Sequence, residues 1–194
     1  MKTNWRVLVW GVAVILLIAV LKVWLPPPSQ SADVKDDAKV EYFTLVIDYD
    51  LPFDKAVQET GIHGDGLNPC IVEENFPNQR VGKVNVQCAK FCFERGAIST
   101  EVERGIKGQI EKELKGKGYS PAGSREILAF ARDHDISELS YVISVGDSFF
   151  DKSSGFHRSV MLWKNKCNNR KSLGLFMESG GPDLTEYWFL AVKD

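Results

Sequence analysis

The residues of this 194-residue chain with chemistry to offer are four cysteines, three histidines, a run of acids and one run of bases. Cys88 and Cys92 stand four apart in an apolar stretch, residues 84–93, that reads as a strand. On a strand their side chains share a face about 13 Å apart. A disulfide needs α-carbons within about 7 Å, so these two cannot bond to each other. Two full pairings stay open: Cys70 with Cys88 and Cys92 with Cys167, or Cys70 with Cys92 and Cys88 with Cys167. Four small buried hydrophobic residues is the competing expectation. The chain has no C-x-x-C, so dithiol redox catalysis is not expected.

His63, His134 and His157 are scattered without H-x(3)-H or H-E-x-x-H spacing, so neither a metal site nor a cofactor is expected. His63-Gly64-Asp65-Gly66 reads as a turn. Asp133, Asp135, Glu138, Asp147 and Asp151 cluster along the chain, and an enzyme would need two of them to converge in a cleft. Solvated carboxylates at helix ends and in loops are the ordinary alternative. No nucleophile elbow or phosphate-cradling loop accompanies them; Gly105-Ile106-Lys107-Gly108 lacks the required spacing. Arg158, Lys164, Lys166, Arg170 and Lys171 fall within fourteen residues that hold no acid, with Trp163 among them. Such a basic hairpin is a candidate binding surface for an acidic protein, an anionic glycan or lipid headgroups. Its alternative is a solvated hairpin whose lysines discourage edge pairing.

The elements that must position these residues begin with a membrane segment. Residues 7–25 are apolar apart from Lys22, and nineteen residues at 1.5 Å each span about 29 Å, close to a bilayer core. Trp5, Trp10 and Trp24 suit the two interfaces, and Lys22 can snorkel. Lys2 and Arg6 precede the run with no acid, whereas the residues after it mix charges. The positive-inside bias therefore places the N-terminus in the cytoplasm and the remainder in the periplasm or outside the cell. A cleaved signal peptide is the alternative, although its apolar core is normally shorter, about 7–15 residues. Residues 1–25 are thus expected to be a single-pass signal anchor in the cell membrane, residues 26–40 an extended proline-led linker, and residues 41–194 one extracytoplasmic domain. Outside the reducing cytoplasm a structural disulfide becomes an equal expectation to free thiols. The formal charge is −2, and three of the positive residues belong to the anchor. A body this acidic is not a nucleic-acid binder.

Within the domain, β-branched and aromatic runs predict strands at residues 42–47, 84–93, 141–145, 159–164, 172–177 and 187–192. Residues 52–60 read as a short helix stopped at Gly61. Residues 61–78 form a long connection. Thr100 and Glu103 fit a capping box for a helix running to Gly116, with Val102, Ile106, Ile110 and Leu114 on one side. Pro121 and Ser124 open another helix whose inward face is Ile127, Leu128, Phe130 and Ala131. Asn168-Asn169 and Gly180-Gly181-Pro182-Asp183 mark turns between the last three strands. Helices followed by successive hairpin strands predict an α+β domain that closes on a C-terminal antiparallel hairpin sheet.

The motifs Gly118-Tyr119-Ser120-Pro121-Ala122, Glu126-Ile127-Leu128-Ala129-Phe130, Leu173-Gly174-Leu175 and Phe189-Leu190-Ala191-Val192-Lys193 resemble those of a group of uncharacterised bacterial proteins. The upstream stretch from Asn68 through Asn75-Phe76-Pro77 is similar as well. The likeness spans residues 42–194 and carries no catalytic residue. More distantly, the second half resembles the C-type-lectin-like fold shared with sulfatase-modifying oxidases. Those oxidases need a cysteine pair near the chain end, where only Cys167 lies, so their activity is not implied. Ser120, Trp188 and the long helix before Gly116 depart from the pattern. The functional expectation is a membrane-anchored, non-catalytic binding module. The alternatives are a structural subunit of an envelope assembly held by its 100–116 helix, and an envelope enzyme using the acidic residues 133–151.

Overall fold

The structure, a computed structural model, describes residues 38–93, 105–136, 140–177 and 187–194. The apolar run 7–25, the linker up to residue 37, the Thr100–Glu103 box, Glu138 and the turn at residues 180–183 lie outside the described residues. The elements run β1 (Ala38–Asp48), α1 (Phe53–Glu59), β2 (Lys83–Phe93), α2 (Gly105–Gly116), β3 (Tyr119–Pro121), α3 (Ser124–Asp133), β4 (Tyr141–Asp151), β5 (Phe156–Asn165), β6 (Arg170–Met177) and β7 (Tyr187–Lys193). The class is mixed α+β, and all seven described strands join one sheet in the order β1-β2-β7-β4-β5-β6, with β3 also on β7. The six strands and three helices predicted within the domain are present, the 100–116 helix from Gly105 onward. β1 starts earlier than its aromatic run suggested, because it pairs with β2 over its whole length, from Ala38 opposite Phe93 to Asp48 opposite Lys83.

One expectation is corrected. β4, β5 and β6 form successive antiparallel hairpins, but β7 does not continue them. It returns to the middle of the sheet, antiparallel to β2 and parallel to β4. Phe189, Leu190, Ala191 and Val192 are all buried, so both faces of β7 need cover. A continuous apolar run of that kind belongs in a central strand, whereas an edge strand alternates.

Helices cover both faces. Cys88, Val142 and Leu190 pack in one cluster with Phe53, Val57, Ile127, Leu128 and Phe130 of α1 and α3. Their chain neighbours Ala89, Ile143 and Ala191 pack in the other with Ile106, Ile110 and Leu114 of α2. The two-residue period of the strands separates the clusters, and burying each large apolar side chain contributes about 1.5–3 kcal/mol. The apolar side of α2 is thereby occupied by the sheet. α3 is different: its first eight residues, including Arg125 and Glu126, are all buried. A buried helix start that carries charge demands partners.

Candidate functional site

Two polar assemblies follow from this architecture. The first surrounds the start of α3. The Ala122 N–H donates to the Leu190 carbonyl at 3.0 Å, and the Gly146 N–H donates to the Ala122 carbonyl at 2.8 Å, threading this segment between β7 and β4. Glu126 reaches back to accept the Gly123 N–H at 2.8 Å. Its other oxygen accepts the Tyr49 phenol at 2.5 Å and Arg80 Nη1 at 2.9 Å. Arg80 Nη1 also donates to the Tyr49 oxygen at 2.9 Å, closing a triangle. Asp147 accepts both the N–H and the hydroxyl of Ser124, so a neighbouring strand supplies the helix cap that Gly123 cannot. Arg125 donates to the Leu51 carbonyl at 2.6 Å and lies 5.0 Å from the Phe53 ring centre.

This knot fastens the fold. Burial and the adjacent Glu126 push the Tyr49 phenol well above its ordinary range, which holds it as a hydrogen-bond donor. Burial likewise pushes the Cys88 thiol up to about 12, which makes it unreactive at neutral pH. Asp147 is also raised, by burial, against the opposing hydrogen bonds from Ser124. A carboxyl raised on folding contributes most below the ordinary value of 3.8, and its contribution falls as pH rises through the folded value. Asp147→Asn removes that slope. Urea denaturation at pH 4 and pH 7 is expected to move stability toward the variant, relative to the parent, as pH rises. A parent whose advantage grows with pH contradicts the assignment.

The second assembly is a cleft of about 520 Å³ between residues 60–66 and the β5–β6 turn. Gly61 and Gly64 take positive φ, +69° and +60°, so the loop folds back on itself as only glycine does readily. The Asn68 N–H then donates to the Leu173 carbonyl at 2.9 Å, and Leu67 bridges Leu173 in parallel. These contacts stitch the loop onto the outer side of β6, covering part of an open sheet edge. On the facing wall, Asn165 Oδ1 accepts the Cys167 N–H at 2.9 Å and Asn168 Oδ1 accepts the Arg170 N–H at 3.0 Å. Asn169, at φ +57°, completes the turn.

The basic hairpin divides. Arg158 sits at the far end of β5, 3.4 Å from Asp151. The Trp163 ring lies across Gly174, where a Cβ would approach within 2.6 Å of it. Lys164 pairs with Asp135 at 3.4 Å. Lys171 donates to the carbonyls of Ala131 and His134, capping the C-terminal end of α3. Lys166 and Arg170 stay exposed at the turn, and Arg170 lines the cleft.

The described acids, Asp133, Asp135, Asp147 and Asp151, are each engaged by a different neighbour. The Arg132 guanidinium beside Asp133 holds that carboxyl below its usual range. Asp135 is lowered by the Ile136 N–H and then by Lys164. Asp151 is lowered by the hydroxyls of Ser153 and Ser154. His134 stacks on Phe130 with ring centres 4.8 Å apart, His157 faces Phe150, and His63 lines the cleft. Among the described residues, no group of three His, Cys, Asp or Glu is placed to hold a metal ion. None of the four cysteines, all among the described residues, is joined in a disulfide; Cys70 and Cys167 are exposed, Cys88 is buried and Cys92 is half-buried.

No family model matches the chain, and neither the curated proteins nor the solved structures yield a match. The resemblances drawn from sequence therefore stand on their quoted motifs alone. Sequence reasoning passed over Tyr49 and Arg80 as partners of Glu126, and Leu51 as the partner of Arg125. Only the three-residue step from Gly123 to Glu126 carried a signal, that of a helix start. The cleft carried none, because its walls are about a hundred residues apart in the chain.

Proposed function

We propose that this chain is a single-pass membrane protein that displays its folded domain outside the cytoplasm as a binding module, with the cleft beside the β5–β6 turn as its ligand seat. The observation that carries this reading is the cleft itself. Its volume, about 520 Å³, falls in the range of small-ligand sites, and it gathers Arg170, Asp65 and two asparagine amides at one concavity. Display rests on the apolar run, its tryptophan-flanked ends and the basic residues before it. Binding rather than catalysis is supported by Asp133, Asp135, Asp147 and Asp151, each of which is engaged by its own neighbours. Kinship with the C-type-lectin-like fold belongs to the same proposal and rests on the second-half motifs.

Display is tested in intact cells that make the full chain. A membrane-impermeant maleimide, applied with an impermeant phosphine to open any disulfide, is expected to modify the exposed Cys70 and Cys167. Modification that appears only after the membrane is permeabilised overturns the proposal.

A further inference from the structure

We infer that the cleft takes a polyhydroxylated anion, a sugar acid or a sugar phosphate, with its anionic group on Arg170 and its hydroxyls between the two walls. The inference rests on the proposal that the cleft is a ligand seat, and it names what sits there.

One wall is built of donors. Asn165 and Asn168 each turn the carbonyl end of the side chain onto a backbone N–H of the turn. That contact fixes which end of each amide is left over, and the end left over is the NH2 group, a pair of donors. Arg170 follows at once in the chain. Its own N–H is held by Asn168, and its guanidinium is exposed at the cleft with no ion pair to any described residue. A planar guanidinium beside carboxamide donors matches the two oxygens of a carboxylate or phosphate, and it binds them in a bidentate manner that lysine cannot copy. Lys171 is withdrawn from this role, because its ammonium caps α3.

The facing wall differs in sign. Asp65 lies in the Gly64–Gly66 turn, lines the cleft and makes no ion pair with Arg170 or any other described residue. An acid on the far wall repels a second anionic group but accepts hydrogen bonds from hydroxyls. A ligand with one charged end and a hydroxylated body satisfies both walls together. Inorganic phosphate is too small to reach across about 520 Å³. Ile62 is the one large apolar side chain among the described lining residues, and the His63 imidazole is the one ring, so an apolar or nucleobase-bearing ligand finds little to stack on.

The experiment uses the full chain in nanodiscs of zwitterionic lipid, titrated calorimetrically with glucuronic acid, glucose 6-phosphate, glucose and inorganic phosphate. Saturable binding of glucuronic acid or glucose 6-phosphate is expected, at least tenfold tighter than glucose or phosphate; the stronger of the two identifies the anionic group. Arg170→Ala should weaken it at least tenfold, Arg170→Lys should only partly preserve it, and Asp65→Asn should weaken the sugar anions more than phosphate. Arg170 is exposed and its guanidinium makes no hydrogen bond or ion pair with a described residue, so its variants are expected to fold as the parent does. Glucose binding as well as the sugar anions overturns the anionic requirement, phosphate binding as well overturns the hydroxyl wall, and silence from all four overturns the ligand class. Binding that survives Arg170→Ala unchanged overturns the cleft as the seat. The maleimide experiment reports on display independently of all of these.

Discussion

Gly146→Ala is expected to destabilise the domain by about 3 kcal/mol or more, the largest effect of any single methyl group added to it. Gly146 lies where the pairing of β4 with β5 slips, between Ser144 and Phe149. A Cβ there would sit 2.5 Å from the Pro121 carbonyl oxygen and 2.7 Å from the carbonyl carbon and oxygen of Ala122. All three are main-chain atoms. Pro121 is paired with Ala191 of β7, the Ala122 N–H is bonded to Leu190, and the Ala122 carbonyl receives the Gly146 N–H itself. Relief therefore breaks ladder bonds on the central strand and disturbs the entry to α3. Gly174→Ala provides the comparison. Its added methyl meets the Trp163 ring, a side chain that can rotate away, so a smaller loss is expected. Urea denaturation of both variants checks the ranking. A loss below about 1 kcal/mol for Gly146→Ala would mean that residues 121–122 yield easily.

Glu126→Ala is expected to cost about 2–4 kcal/mol, set mostly by what it leaves behind. Arg80 has a side chain 55% exposed and can recover its hydration. The Tyr49 phenol and the Gly123 N–H have no such escape, since Tyr49 is only 5% exposed and Gly123 is pressed between Asp147 and the α3 start. An orphaned buried donor costs about 1–3 kcal/mol, more than the net value of the bond it lost. Tyr49→Phe should cost about 1 kcal/mol, because it removes the donor together with its need. The double variant should then lose less than the two single losses added together. Additive losses in this cycle would show that the phenol and the carboxylate do not act as a unit.

Much of the fold was legible because the relevant signals are local. β-branched and aromatic runs marked β4, β5 and β6, and the four-residue recurrence Ile106, Ile110, Leu114 marked α2. Gly61, Gly118 and Asn169, all at positive φ, fall at the predicted helix stops and turn. The place of β7 was misassigned, because Phe189-Leu190-Ala191-Val192 is apolar throughout but so is Val160-Met161-Leu162-Trp163 of β5, and the run alone does not say which strand is central. β3 was passed over, since three residues that include a proline carry too little pattern to announce a strand. The basic run was legible as charge but not as surface. Asp151, Asp135 and the end of α3 engage Arg158, Lys164 and Lys171, and only the fold brings them there.

By itself, then, the sequence determined the elements other than β3, their order, the α+β class and the expectation of a membrane-anchored domain, because hydrophobic period and run length act over a few residues to a few turns. Tertiary structure alone decided that β7 fills the centre of the sheet, that Glu126 meets Tyr49 and Arg80, and that Asp65 faces Arg170 across a cleft. Those outcomes join residues from some thirty to a hundred positions apart, and the pattern around each partner is the same whether or not the other is present.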